Sequence, residues 1–318
     1  MDRIKTITVF VDPNTRDHPA IAKAARLAAG FRARIDLVVI DPTAAASASN
    51  FYDAETCRLA QERRSLPRRE RLETLAEPLR AAGLTVHTDV LFDTPLSAAM
   101  IRRIRTSRPS LVVKDTHPHS LIHRAWLSHL DWYLIRECPA PLLLTRARAW
   151  HERALRIAAA VDPGHADDKP WTLDHEILGT VEYLATGVAS DLSVVNAFCS
   201  LEQYAVLGGA GDPQFAVVCA APVEAARRQQ HEALRRLMVG HQIAPESVHL
   251  VEGSPVEALP AFAVQHHIDV LVMGVIARGS LFEHVVGSTA ERVLDRLECD
   301  VLALKPETLF AQLWKARG

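Results

Sequence analysis

The sequence has few of the residues that build cross-linked or metal-tethered proteins. Its five cysteines are odd in number and include no CxxC pair, which argues against a disulfide framework and against a thiolate zinc site. Aromatic residues make up only 6% of the chain, and no uninterrupted run of about 18 apolar residues is present that could span a membrane. The first residues, MDRIKTITVFVDPN, are too charged for a secretory signal. These absences predict a protein of a reducing compartment, the cytoplasm.

Enzyme signatures are also missing. The sequence contains no GxSxG, no HExxH, no GxxxxGK, and no GxGxxG after a predicted strand; these patterns mark hydrolases, zinc peptidases, P-loop NTPases and dinucleotide-binding enzymes. No Ser-His-Asp or Cys-His set can be argued from spacing. We therefore do not expect a dedicated hydrolase or dehydrogenase, and weak ATPase activity is the most catalysis that the sequence allows.

Charge is distributed unevenly, although the net charge is only -2. Residues 1–150 contain 23 Lys and Arg against 16 Asp and Glu, whereas residues 151–318 contain 13 against 22. A basic half can be an electrostatic footprint for nucleic acid, but glutamates interleave with the arginines of the predicted helix 55–82 and aromatic platforms are absent. We interpret the arginines as solvated helix faces or as partners of the acidic half, and we do not expect nucleic-acid binding.

The order of predicted elements occurs twice along the chain. Short β-branched runs alternate with helical patterns, which predicts a mainly parallel sheet with helices on both faces. Val11-Asp12-Pro13 returns as Val161-Asp162-Pro163, and Leu111-Val112-Val113-Lys114 returns as Leu271-Val272-Met273-Gly274. The repetition indicates a duplicated α/β domain.

The length of the chain fits two domains of about 150 residues each. We place the first domain at residues 1–148 and the second at residues 152–306. Residues 307–318 are expected to form a tail with an amphipathic turn.

Two stretches resemble the universal stress protein family. Its tandem, E-type members have a first domain similar to VFVDPN and PSLVVKDTHPHSLIHRAWLSHLDWYLIRECPAPLLLTR, and its domains close with a strand–loop–helix–strand similar to DVLVMGVIARGSLFEHVVGSTAERVLDRLECDVLALK. The resemblance extends from Ile4 to about Pro306. It implies a five-stranded Rossmann-like parallel sheet in each half with strand order 3-2-1-4-5, a cytoplasmic location and a role in stress tolerance.

The resemblance also implies how the domains associate. The two halves would pair about a pseudo-twofold axis and imitate the family's usual homodimer within one chain. The candidate edge strands are residues 141–145 and 300–305, which are available for this internal pairing or for a homodimer of the whole chain.

A ligand site is expected where the strand order reverses. In a doubly wound sheet, ligands bind outside the carboxyl ends of the strands at this point. In the second half, Asp162 closes the first strand and Gly274 closes the fourth. The resemblance places Asp162 towards a ribose or adenine and the backbone near Ala197 at the edge of the base.

A degenerate phosphate loop follows the fourth strand of the second half. ATP-binding members of the family have Gly-x2-Gly-x9-Gly-Ser/Thr, whose backbone N–H groups surround phosphates. Here the pattern is Gly274-x2-Ala277-x9-Gly287-Ser288-Thr289. A Cβ at Ala277 costs about 1–2 kcal/mol if the loop needs a left-handed backbone there, although Gly279 offers a shifted turn.

Helix capping is the alternative explanation of the end of this pattern. Ser288 and Glu291 have the spacing of a capping box for a helix predicted over 287–298. The sequence therefore leaves open whether Ser288 only caps this helix or also contacts a nucleotide or another anion.

The first half cannot build the same loop. Lys114 takes the position of the glycine, and no glycine follows it within the domain. Lys114 is expected beside Asp12, in a structural ion pair that fills the vacated site. The alternative is that Lys114 and Arg124 receive an anionic ligand in a cleft shared by the two halves.

Three further features are interpreted as structural. His117 and His119 form an HxH pair, but a closed zinc site needs three or four ligands, so we expect solvent-facing histidines. Trp126 and Trp132 are expected to be buried against the other half. The GGAGDP stretch, residues 208–213, lacks a Lys-Ser/Thr ending and is expected to be a flexible loop.

Three functional hypotheses result. The first is a non-catalytic stress-response module that binds a small ligand or a partner. The second is an ATP-binding protein with weak ATPase activity in the second domain. The third is a carrier of an acyl or lipid-like ligand between the halves. No cofactor is required by the sequence, and ATP is the candidate.

Overall fold

The structure, a computed structural model, describes residues 3–42, 54–116, 127–164, 172–198, 223–275 and 287–315. The chain divides into two compact units. The first unit contains residues 2–150 together with residues 308–318, and the second unit contains residues 151–307. Within the described ranges, every helix is too short or too polar to cross a membrane.

The first unit has a five-stranded sheet in which every pair of neighbouring strands is parallel. Its strand order is β3-β2-β1-β4-β5. In chain order the elements are β1 (Thr6–Phe10), α1 (Pro19–Phe31), β2 (Arg34–Asp41), α2 (Ala54–Ala81), β3 (Val86–Phe92), α3 (Leu96–Ser107), β4 (Leu111–Asp115), α4 (His129–Glu137) and β5 (Leu142–Thr145).

The second unit repeats this topology. Its parallel strands have the order β8-β7-β6-β9-β10, so each unit has the order 3-2-1-4-5. The elements are β6 (Leu155–Ala160), α5 (Thr172–Gly187), β7 (Ser190–Phe198), α6 (Val223–Leu237), a 3₁₀ turn (Pro245–Ser247), β8 (Val248–Glu252), α7 (Pro255–Gln265), β9 (Val270–Gly274), α8 (Ser288–Leu294) and β10 (Asp300–Leu304).

The central strands are buried because helices cover the sheet. In β1 the side chains of Ile7 and Val9 have no exposed surface, as expected of an inner parallel strand. Helix α1 begins with Pro19, whose missing N–H costs nothing at the first helical position. Its buried residues recur every three or four positions and include Ala20, Ala24 and Leu27, so one face of the helix packs on the sheet.

Two elements differ from the sequence prediction. Helix α8 has seven residues and ends at Leu294, whereas the sequence predicted a helix that continues to residue 298. The tail forms a helix, α9 (Glu307–Lys315), rather than a single turn. Leu309 and Leu313, one helical turn apart, are buried, and residues 308–315 group with the first unit.

Candidate functional site

The point where the strand order reverses lies between the first and fourth strands of each unit. In the first unit β1 and β4 are neighbours, and Phe10 lies opposite Lys114. In the second unit β6 and β9 are neighbours, and Ala160 lies opposite Met273. The carboxyl ends of both strands therefore meet at one edge of each sheet.

Lys114 forms an ion pair, but its predicted partner is wrong. Its Nζ donates to Asp131 Oδ1 at 2.7 Å and to the carbonyl oxygen of Asp115 at 2.8 Å. Asp12 instead accepts a hydrogen bond from the backbone N–H of Asn14 at 2.8 Å. The Lys114 side chain is 13% exposed and that of Asp131 is fully buried, so the pair is largely removed from water.

Asp131 provides a fixed negative charge at the start of α4. Ser128 is the N-cap of this helix and forms a capping box with Asp131. The carboxylate accepts from the backbone N–H of Ser128 at 2.8 Å and from its hydroxyl at 2.7 Å. The orphan donors of a helix start attract anions, and here an anion from the chain itself already occupies that position.

Asp115 is a second buried carboxylate at this edge, which the sequence analysis missed. Its Oδ1 accepts from the backbone N–H of Ala20, in the first turn of α1, at 2.8 Å and from the hydroxyl of Thr145 at 2.7 Å. Asp115 therefore joins the ends of β4 and β5 to the start of α1. The available signal was an acidic residue at the end of a strand whose first three residues are apolar and buried.

Arginines of α2 hold the remaining loop at this edge. Arg71 donates through Nη1 to the carbonyl oxygen of Pro13 at 3.2 Å and through Nη2 to that of Thr15. Arg68 pairs with the buried Asp41, at the end of β2, at 2.7 Å. These two arginines thus bind within their own unit.

The corresponding edge of the second unit differs at the position of Lys114. Gly274 stands in the place of Lys114, and a Cβ at this glycine would lie 2.7 Å from Leu173 Cδ2. The missing side chain therefore also lets α5 approach the strand closely. The backbone N–H of Asp162 donates to Asp174 Oδ1, in the first turn of α5, at 3.2 Å.

The predicted capping box of the second unit is wrong. Gly287 is the N-cap of α8, and no side chain among the described residues caps this helix. Ser288 is its first residue, so its hydroxyl is one position too late to act as the cap. Ser288, Thr289 and Glu291 are all exposed.

A buried amide lies close to the same edge. Asn196, in β7, donates through Nδ2 to the carbonyl oxygen of Val161 at 3.0 Å. Its Oδ1 is buried and has no hydrogen-bond partner in the described part of the chain. Ala197, the next residue, is half-buried. Sequence reasoning missed Asn196 because an amide within a strand of apolar neighbours has no motif around it.

Several predicted site residues lie outside the described residues. They are Ala277, Gly279, Arg124, His117 and His119, and the same applies to Trp126 and to residues 208–213. Trp132 is half-buried. Among the described residues, no three His, Cys, Asp or Glu side chains are arranged to hold a metal ion.

Two histidines and a phenylalanine form a separate cluster in the second unit, beside a groove of about 670 Å³ along the edge strand β8. The rings of Phe262 and His266 stack at 4.1 Å, and the His249 ring lies 5.1 Å and 4.9 Å from them. Burial first, and the charge of His266 second, lower the pKa of His249 below its ordinary value of 6.5. His249 is therefore held neutral at pH 7.

This shift predicts a loss of stability in acid. A histidine with a lowered pKa binds its proton more weakly in the folded chain than in the unfolded chain. The contribution of neutral His249 to the stability of the fold is therefore complete above pH 6.5, and it is lost as the pH falls through the lowered pKa of the folded chain. We expect His249→Gln to flatten the fall of the thermal midpoint between pH 7.5 and 5. His231→Gln, at an exposed helix position, is the control and should leave it unchanged; equal slopes in all three proteins would contradict the prediction.

Comparison with known proteins gives a consistent result. A sequence model described as "Universal stress protein family" matches residues 3–146 and 185–305. Universal stress protein E of Photorhabdus laumondii is 24% identical, and the similarity covers 96% of each chain. Universal stress protein E of Escherichia coli is similar at the same identity and coverage.

Solved structures agree with this pattern. The crystal structure of a putative universal stress protein from Pseudomonas aeruginosa has 26% sequence identity and a TM-score of 0.74, and the match covers 98% of this chain and 97% of that one. A universal stress protein from Archaeoglobus fulgidus has a TM-score of 0.61 at 15% identity, covering 96% of this chain and 99% of that one. The latter likeness concerns the fold alone.

Proposed function

Because the chain belongs to the universal stress protein family, we propose that it is a non-catalytic stress-response protein whose second unit binds a small phosphate-bearing ligand. Its first unit contributes to the fold and does not bind this ligand. ATP is the candidate that the glycine pattern favours, and it serves as the probe.

The contrast between the two edges carries this proposal. In the first unit, Lys114 and Asp131 bind each other at 2.7 Å. They lie at the edge where the strand order reverses, which is where a ligand would otherwise bind. In the second unit, Gly274 has no side chain and Glu291 is exposed, so the two equivalent positions do not form such a pair. A cation and an anion that bind each other leave nothing at these positions for a ligand to neutralise, whereas an edge without this pair suits a ligand held by backbone donors.

Two nearby groups support ligand binding in the second unit. Asn196 has a buried oxygen that lacks a donor in the described part of the chain, and a buried polar atom of this kind is costly unless something binds it. Asp162 lies at the end of β6 and is only partly buried. Helix α8, with seven residues, is too short to hold a phosphate by its dipole alone, so the ligand must also contact these groups.

The other hypotheses from the sequence stay predictions. They comprise slow ATP hydrolysis, an acyl or lipid-like ligand carried between the halves, a cytoplasmic location, and pairing of the halves or of whole chains. Lys114 already has partners within its own unit, so the alternative in which it receives an anionic ligand is the less favoured one.

Equilibrium dialysis with labelled ATP tests the proposal. We expect one bound ATP per chain, and we expect Asp162→Asn to weaken binding by about tenfold, the effect of losing one hydrogen bond to a charged group. Asp12→Asn is the matched control at the equivalent position of the first unit and should leave the affinity unchanged. No binding at millimolar ATP, or an equal effect of both substitutions, would contradict the proposal.

A further inference from the structure

Three polar side chains of the second unit form a chain of hydrogen bonds away from the ligand edge. His175 and Glu182 lie two turns apart on one face of α5, and His241 follows α6. His241 Nδ1 is 3.0 Å from Glu182 Oε2, and His241 Nε2 is 2.9 Å from His175 Nδ1. The second oxygen of Glu182 accepts from the backbone N–H of Gln242, so both carboxylate oxygens are engaged.

The carboxylate fixes where the protons are. An ionised carboxylate only accepts hydrogen bonds, so a neutral His241 carries its proton on Nδ1 and presents a bare Nε2. His175 must then donate its Nδ1 proton to that nitrogen. The lone pair of His175 is consequently on Nε2, which has no partner in the described part of the chain.

Ring geometry supports a hydrogen bond between the two imidazoles. Their planes are only 18° apart and their centroids are 5.2 Å apart. Face-to-face rings would be closer, whereas rings that meet nitrogen to nitrogen are separated by the N···N distance and the two ring radii. The two imidazoles therefore meet edge to edge, almost in one plane, which is the geometry for passing a proton.

The three groups are shielded to different degrees. The side chain of His241 is 12% exposed and that of Glu182 is 25% exposed, whereas His175 is an exposed residue. The inner end of the chain of hydrogen bonds is thus protected from water. Electrostatic interactions are stronger in such a shielded environment than in water. The outer nitrogen is open to a molecule in solution.

We propose that His175 Nε2 is a phosphoryl-acceptor site for small acyl phosphates. The Nε2 lone pair attacks phosphorus, an N–P bond forms, and the P–O bond to the acyl group breaks as the carboxylate leaves with its electron pair. The Nδ1 proton of His175 moves to His241 Nε2, and the Nδ1 proton of His241 moves to Glu182. The imidazole ring of the phosphorylated His175 is then uncharged, the phosphoryl group keeps its negative charge, and Glu182 has become a neutral carboxylic acid.

Phosphoryl transfer suits an exposed imidazole better than other group transfers do. Its transition state is loose, so a positioned nucleophile and removal of a proton are most of what the protein must supply. His175 is the nucleophile, and Glu182 and His241 are positioning residues that orient it and receive its proton. General bases of this kind accelerate proton removal.

Acetyl phosphate is the probe, with the full-length protein at pH 7.5. Peptide mass spectrometry follows labelling of each histidine, and stability of the label in alkali with lability in acid identifies an N–P bond. His231 and His267 are exposed and have no side-chain hydrogen bond in the described ranges, so they are internal controls. We expect His175 to be labelled roughly tenfold faster than either control histidine. This acceleration is smaller than the one that a buried general base usually gives, because His175 is exposed to water.

Two variants separate activation from exposure. We expect Glu182→Gln, which preserves the shape of the side chain, to reduce labelling of His175 to the rate of His231. His175→Asn should remove this label and leave His231 and His267 unchanged. Equal rates at the three histidines, or full labelling of His175 in Glu182→Gln, would overturn the proposal, and unchanged circular dichroism keeps either result interpretable.

Discussion

Replacing Lys114 with methionine is expected to lower the free energy of unfolding of the first unit by about 3–5 kcal/mol, the cost of leaving a buried charge without its partner. Asp131 is fully buried, and Lys114 is the cation that pairs with it in the described part of the chain. The capping hydrogen bonds from Ser128 remain in the variant but cannot neutralise the carboxylate.

Hydrogen–deuterium exchange in the full-length protein measures this effect without a two-state assumption, which is unsafe for a chain of two units. The free energies of opening of β4 and α4 should both fall. The double variant Lys114→Met, Asp131→Leu is the matched control, because replacing a buried pair with apolar groups is often close to neutral. A loss of less than about 1 kcal/mol in Lys114→Met, typical of an exposed ion pair, would show that this pair is not buried.

The second large effect is expected at Asp115. Asp115→Ala removes the acceptor of two hydrogen bonds, from Ala20 and from Thr145, and hydrogen bonds to a charged group contribute about 1.5–3 kcal/mol each. We expect a loss of about 3 kcal/mol, again by hydrogen exchange, at the first turn of α1 and in β5.

Asp115→Asn separates charge from hydrogen bonding in this experiment. The amide retains one oxygen acceptor, and Asp115 Oδ1 is the atom that accepts both bonds. We therefore expect Asp115→Asn to lose less than half of what Asp115→Ala loses. Equal losses, or a change confined to β4, would mean that Asp115 does not join the three elements.

The sequence predicted the duplicated fold and the loss of the glycine at Lys114, but it could not identify the partner of that lysine. Adjacency of the first and fourth strands suggested Asp12, because strand order fixes which backbones are neighbours. A lysine side chain is long enough to choose among several carboxylates, and Lys114 reaches Asp131, 17 positions further along the chain. This choice depends on where α4 begins, which strand order does not determine.

Helix capping shows the same limit in more detail. Ser128 and Asp131 have the same spacing as Ser288 and Glu291, yet only the first pair forms a capping box. The difference is one residue in the start of the helix: Ser128 precedes α4, whereas Ser288 is already inside α8. Boundaries of this precision are the least predictable part of a sequence reading.

The chain of hydrogen bonds from Glu182 to His175 was only partly visible in the sequence. Spacing places these two residues on one face of α5, but His241 lies 59 positions beyond Glu182. Which residue after α6 comes within hydrogen-bond distance of Glu182 depends on how α5 and α6 pack in the fold. That relation is tertiary and has no local signal.

Hydrogen–deuterium exchange of the whole chain with and without ATP compares the two units in one experiment. We expect slower exchange at the ends of β6 and β9, around Asp162 and Gly274, and no change at the ends of β1 and β4, where Lys114 and Asp131 already bind each other. Protection around Asp12 and Lys114, or no protection in either unit at millimolar ATP, would contradict a closed first unit and a ligand-binding second unit.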